Sequence, residues 1–163
     1  MAADRDAIDD IQATWALRRP ELDTGPLAVV GRILRAARFL QQAADDWLAD
    51  AGVTRAEFDV LSQLRRTDAP LRPGDLTAGV VGSPAATTKR LHKLTAAGLV
   101  TRTPDPDDAR AARVALTPAG ERLVDDLLPR QIAAEAQLLE ALTPDQRESL
   151  AGLLRTALLA WEP

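Results

Sequence analysis

The chain has no cysteine, which excludes a disulfide framework, a thiolate metal site and a thiol-based redox sensor. It has one histidine, His92, too few for a dedicated zinc site. Nucleophile–base pairs and metal clusters are therefore missing, and no spaced acidic pair stands out for carboxylate chemistry. The composition argues against an enzyme and calls for no metal or cofactor. No apolar run approaches the roughly 18 residues that a membrane span needs. The first residues, with Asp4, Asp6, Asp9 and Asp10, are acidic where a signal peptide would be basic. A soluble cytoplasmic protein is expected. Lysine is nearly as scarce as histidine: only Lys89 and Lys93 occur, within five positions that also hold His92.

What is present suits one domain of ordinary size, 163 residues with 46% apolar content, enough to bury a core. The net charge of −4 argues at first against a nucleic-acid partner. Its distribution argues the other way. From Gly82 to Arg113 the chain carries Lys89, Arg90, Lys93, Arg102, Arg110 and Arg113 against Asp105, Asp107 and Asp108, a local charge of +3 in a chain whose remainder is −7.

Residues 4–18 place Ile8, Ile11 and Trp15 on one helical stripe, with early aspartates at the positive end of the helix dipole. Arg19-Pro20 and Gly25-Pro26 break that pattern. A long helix follows through Val30, Ile33, Leu34, Ala37, Leu40, Ala44, Trp47 and Leu48 to near Gly52, with apolar surface on more than one side, which points to partner contact. Thr54-Arg55-Ala56-Glu57 is a capping box that opens a helix through Phe58, Leu61 and Leu64. An extended piece at Leu71-Arg72 leads to a brief helix carrying Leu76 and Val80. After a turn at Gly82, Ser83 caps a helix begun by Pro84 and stopped by Gly98. Residues 99–103 and 113–116 read as a hairpin with a polar, charged tip. Thr117-Pro118 starts a helix through Leu123, Leu127, Leu128, Ile132 and Leu138, with a kink expected at Pro129. A second capping box, Thr143-Pro144-Asp145-Gln146, starts the last helix, through Leu150, Leu153, Leu154, Leu158 and Trp161.

Capped helix, short helix, glycine turn, proline-started helix and charged hairpin form, in that order, the sequence pattern of a winged helix-turn-helix. The predicted class is mainly α with a small β-hairpin wing. At about 100° per residue, Thr87, Leu91, Leu94 and Gly98 share the core side of the helix after Ser83, while Ala85, Lys89, His92 and Lys93 lie opposite. Such a helix can enter a major groove: Ala85 and Ala86 allow close approach, Thr88 and Lys89 reach base edges and Lys93 meets phosphate. Ser83 at its start and Arg90 at the edge of the face complete the set. In the hairpin, Arg110 near the tip suits the minor groove and Arg113 at the base suits phosphate, while Asp105, Asp107 and Asp108 would pair with neighbouring arginines and shape the loop. The plainer alternative is a solvated charged helix face and an acidic turn.

These residues resemble the MarR family of transcriptional regulators over essentially the whole chain. The match rests on Glu57-Phe58-Asp59-Val60-Leu61, Leu71-Arg72-Pro73, Ser83 to Leu94, Ala97-Gly98-Leu99-Val100, Asp105 through Arg110, and Leu116-Thr117-Pro118-Ala119-Gly120. The resemblance implies a single domain over 1–163, in which 54–116 is the winged helix-turn-helix and the helices of 1–53 and 117–163 join two copies in a homodimer on a palindromic site in double-stranded DNA. Where many members carry two adjacent arginines in the wing, this chain has Ala109-Arg110, which implies weaker wing affinity. The first helix with its tryptophan, followed by Arg19-Pro20-Glu21-Leu22-Asp23 and Pro26, is similar to the urate-responsive branch with its extra N-terminal helix. That similarity implies an effector site of Trp15, Asp59, Arg90 and Arg102. The chemistry is coherent: an indole packs on a flat purine, a carboxylate accepts ring N–H and guanidinium groups pair with the anion. A phenolic effector, or a winged helix used as a protein-interaction module, are the alternatives.

Overall fold

The computed structural model describes residues 5–67, 69–79, 83–106, 108 and 111–162, with the side chains of 77–79 left aside. In chain order these form α1 (Ala7–Arg18), α2 (Gly25–Leu48), α3 (Arg55–Arg65), α4 (Pro73–Gly79), α5 (Pro84–Ala96), β1 (Val100–Pro104), β2 (Ala112–Leu116), α6 (Pro118–Leu138) and α7 (Pro144–Trp161). Two compact units divide the chain, Met1–Ala43 and Ala44–Pro163.

In the first unit α1 is built from its cap outward. The Asp6 carboxylate accepts from the N–H groups of Ile8 and Asp9, and Asp9 in turn accepts from the Asp6 N–H, a capping box made of two aspartates. Arg32 of α2 then pairs with Asp6 at 2.8 Å and Asp9 at 2.7 Å. The same charges that cap α1 therefore tie it to α2. Ile8 is buried and lies against Gly31, which is small enough to admit it.

The second unit is a winged helix. Phe58, Val60, Leu61 and Leu64 of α3 form the centre of its core, joined by Leu76 of α4, Leu91 and Leu94 of α5, Val100, Val114, and Val124 and Leu127 of α6. Ala44 and Leu48 from the end of α2 complete it, and Trp47 meets Phe58 edge-on with ring centroids 5.0 Å apart. The strands pair antiparallel, Val100 opposite Leu116 and Arg102 opposite Val114. The extended piece expected at Leu71-Arg72 is a bridge: Leu71 exchanges both backbone hydrogen bonds with Val114, at 3.0 and 2.8 Å. Helix α6 continues unbroken through Pro129.

The exit from α5 corrects one detail of the helical projection. Gly98 does not share the core side with Thr87, Leu91 and Leu94. It is exposed, with φ of 70°, because the helix ends at Ala96 in a left-handed turn, where the Gly98 N–H donates to Thr95 and the Leu99 N–H to Leu94. Immediately beyond, α6 is anchored to this turn. Thr117 donates its N–H to the Leu99 carbonyl and its hydroxyl to the Gly98 carbonyl, then accepts from Gly120 as the N-cap. A Cβ on Gly120 would stand 2.1 Å from the Leu99 oxygen, so only glycine fits there.

Candidate nucleic-acid interface

Helix α5 follows from local chemistry. Ser83 Oγ accepts from the Ala86 N–H at 3.3 Å, Pro84 takes the first helical position, and Thr87, Leu91 and Leu94 seat the helix on the core. The turn residues 80–82 lie outside the described residues. Ser83, Ala85, Thr88, Lys89, His92 and Lys93 are exposed and Ala86 and Arg90 half-buried. The small residues Ala85 and Ala86 stand in the first turn, at the amino end of the helix. Lys89 enters no ion pair among the described residues.

Lys93 is placed differently from the expectation. Although its side chain is 65% exposed, its ammonium lies 3.0 Å from Glu57 Oε1, and that carboxylate is buried. The other carboxylate oxygen accepts from the Thr54 N–H at 2.8 Å, closing the capping box of α3. Burial pushes the Glu57 carboxyl up, but the hydrogen bond from the Thr54 backbone and the Lys93 ammonium outweigh it and hold the group below the usual carboxylate range. No local spacing links Glu57 to Lys93, so sequence reasoning missed the pair.

In the wing, Asp105 does what was expected of an acidic hairpin residue and more. Its fully buried side chain accepts from Arg72 Nε at 2.7 Å and pairs with Arg113 Nε at 3.2 Å. One buried carboxylate thus ties the wing base to the segment before α4. Arg113, assigned to phosphate from sequence, is engaged in this cluster. Arg110, Ala109 and Asp107 lie outside the described residues.

The four effector candidates divide between the units. Trp15, on α1, is 45% exposed and belongs to the first. Asp59, Arg90 and Arg102 belong to the second, and neither arginine forms an ion pair with Asp59. Asp59 is instead paired with Arg55 Nε at 2.9 Å, and Arg55 reaches Glu135 of α6 at 3.4 Å. Arg90 sits at the boundary that the helical projection assigned to it: half-buried, with Nη1 shielded from solvent and without a hydrogen-bond partner among the described residues. Arg102 is exposed on β1. A surface cavity of about 230 Å3, lined by Leu64, Arg65, Pro70, Leu116 and Glu121 among others, contains none of the four. Among the described residues no group of three or more His, Asp or Glu side chains could hold a metal ion, and no helix is long and apolar enough to cross a membrane.

Residues 51–111 match the model of the MarR family. The HTH-type transcriptional regulator PecS of Dickeya dadantii is 28% identical over 149 residues, covering 90% of each chain. Among solved structures, BpsR of Bordetella bronchiseptica, whose DNA binding is regulated by 6-hydroxynicotinic acid, superposes with a TM-score of 0.72 at 28% identity over 78% of this chain and 97% of its own. A mutant MarR from E. coli complexed with operator DNA gives 0.74 at 26% identity, over 84% and 99%. Motif, fold and relatives point the same way: the winged helix-turn-helix of this chain is similar to that of MarR-type transcriptional regulators.

Proposed function

We propose that the chain is a repressor that binds a palindromic operator in double-stranded DNA as a homodimer and releases it when a small planar anion, urate or a related purine, is captured by Trp15, Asp59, Arg90 and Arg102. Residues 54–116 read the DNA, and the helices of 1–53 and 117–163 join the two copies.

The observation that carries the DNA reading is the solvent face of α5, where exposed Ala85, Thr88 and Lys89, the last without an ion pair among the described residues, stand on a helix whose opposite side is fixed in the core. The complex of the related MarR with operator DNA supports the same use of this fold. Dimerisation is supported by α7, in which every residue is exposed or half-buried although Leu153 and Leu159 are each 72% exposed. An amphipathic helix of 18 residues whose leucines are left uncovered gains little from burial within its own chain, so a second copy is the natural cover. For the effector, the support is Arg90: its unpartnered, shielded Nη1 is a donor awaiting an acceptor, on the edge of the DNA-facing helix. BpsR responds to a planar aromatic acid, which is the same chemical class.

Two experiments test the reading. In a gel shift against DNA upstream of its own reading frame, Lys89→Ala is expected to weaken binding and to lower the salt slope by about one ion. Unchanged affinity and slope would remove α5 from the DNA interface, and no shift at all by the unaltered protein would favour a protein-interaction module. With Trp47→Phe and Trp161→Phe leaving Trp15 as reporter, its fluorescence is expected to respond to urate, and urate to dissociate the DNA complex. A response to phenolic acids alone would replace urate, and silence to both would reject the effector site.

A further inference from the structure

The Glu57–Lys93 pair is a connection between helices, not a surface ornament. Glu57 is 4% exposed and already fixed at its root, because the capping box commits one oxygen to the Thr54 N–H. The second oxygen faces Lys93 at 3.0 Å. A buried carboxylate deprived of its cation is left with an uncompensated charge, so the pair resists separation from the Glu57 side far more than from the exposed lysine side. Lys93 lies in the last turn of α5, three residues beyond Arg90 and six beyond the buried Thr87. The core contacts of Thr87, Leu91 and Leu94 locate the axis of α5. A lateral tether at its carboxyl end fixes how the helix is rotated and tilted on α3.

We propose that Glu57 and Lys93 form a latch that sets the attitude of α5 on α3, making Lys93 a positioning residue for operator binding instead of a phosphate contact. The inference rests on the DNA reading given above. It separates two lysines of identical chemistry: Lys89 acts by its charge on DNA, Lys93 by its charge on Glu57.

The test is operator affinity measured across a salt series for the unaltered protein, Lys89→Ala, Lys93→Met, Lys93→Arg and Glu57→Gln. Each lysine that neutralises a phosphate contributes to the salt slope through counterion release, whereas a lysine that only positions the helix does not. Lys93→Met is expected to lose several-fold to about tenfold in affinity with an unchanged slope, a size typical of coupled neighbours. Lys93→Arg is expected to restore it. Glu57→Gln is the sharper arm, since it removes a negative charge near DNA and would tighten binding on electrostatic grounds alone, yet the latch requires it to weaken binding. A slope lowered by Lys93→Met as much as by Lys89→Ala, or tighter binding by Glu57→Gln, would overturn the latch. Should no variant, nor the unaltered protein, bind DNA, the DNA reading falls first, and urea unfolding of Glu57→Gln, Lys93→Met and the double variant decides the pair. A coupling of at least about threefold in the unfolding constant is required there, and strict additivity rejects it.

Discussion

Gly120 shows how one side chain, or its absence, can hold a fold together. The Leu99 carbonyl occupies the space that a Cβ would need, and it is there because Thr117 binds it. Gly120→Ala is expected to destabilise the protein by about 1–3 kcal/mol, the usual penalty of forcing atoms into a closed site. Urea unfolding checks this, with Ala119→Gly as a control on exposed backbone. Glycine and threonine at these positions were readable in the sequence as a motif, but the reason for them was not. It is a contact between the start of α6 and the turn after α5, and only the folded chain displays it. The same holds for Lys93, whose charge was visible and whose partner was not.

Elements were more legible than pairs. Capping boxes at Thr54–Glu57 and Thr143–Gln146, the proline starts of α5, α6 and α7, and the glycine after α5 are signals within four residues of their effect, and each marks an end the structure shows. The double-aspartate cap of α1 was read only as dipole compensation. Contacts across elements escaped: the wing aspartate was expected to find a neighbouring arginine and did in Arg113, but it also holds Arg72, 33 positions away. A pH prediction belongs at this scale, because Glu57 joins α3 to α5. Its folded carboxyl lies below the usual 4.5, so the stability it supplies is complete above that value and is lost as pH falls through the lowered one. Thermal unfolding of the unaltered protein and Glu57→Gln is expected to differ most near neutrality and to converge on acidification. A constant difference would show that Glu57 contributes packing alone.

For the whole molecule, the exposed apolar side chains of α7 set an expectation about assembly. Leu153→Glu with Leu159→Glu is expected to yield a monomer by analytical ultracentrifugation, with lower helical content by circular dichroism. Each leucine would give up about 1.5–3 kcal/mol if fully buried between copies. An unchanged dimer would move the interface elsewhere. Composition pointed to a DNA partner only after its charge was mapped along the sequence, and the proposed dimer could be read only from apolar positions on more than one side of the long helices.

The anchoring of α6 at Gly98 and Leu99 has a mechanical side. Helix α6 is a rod of 21 residues, about 30 Å long at 1.5 Å per residue, and its first residues grip the turn in which α5 ends. Its far end carries exposed Ile132 and Leu138. A load applied there reaches the carboxyl end of α5 through hydrogen-bonded backbone, with no loop between to absorb it. Helix α5 is therefore geared to whatever grips that end of the rod.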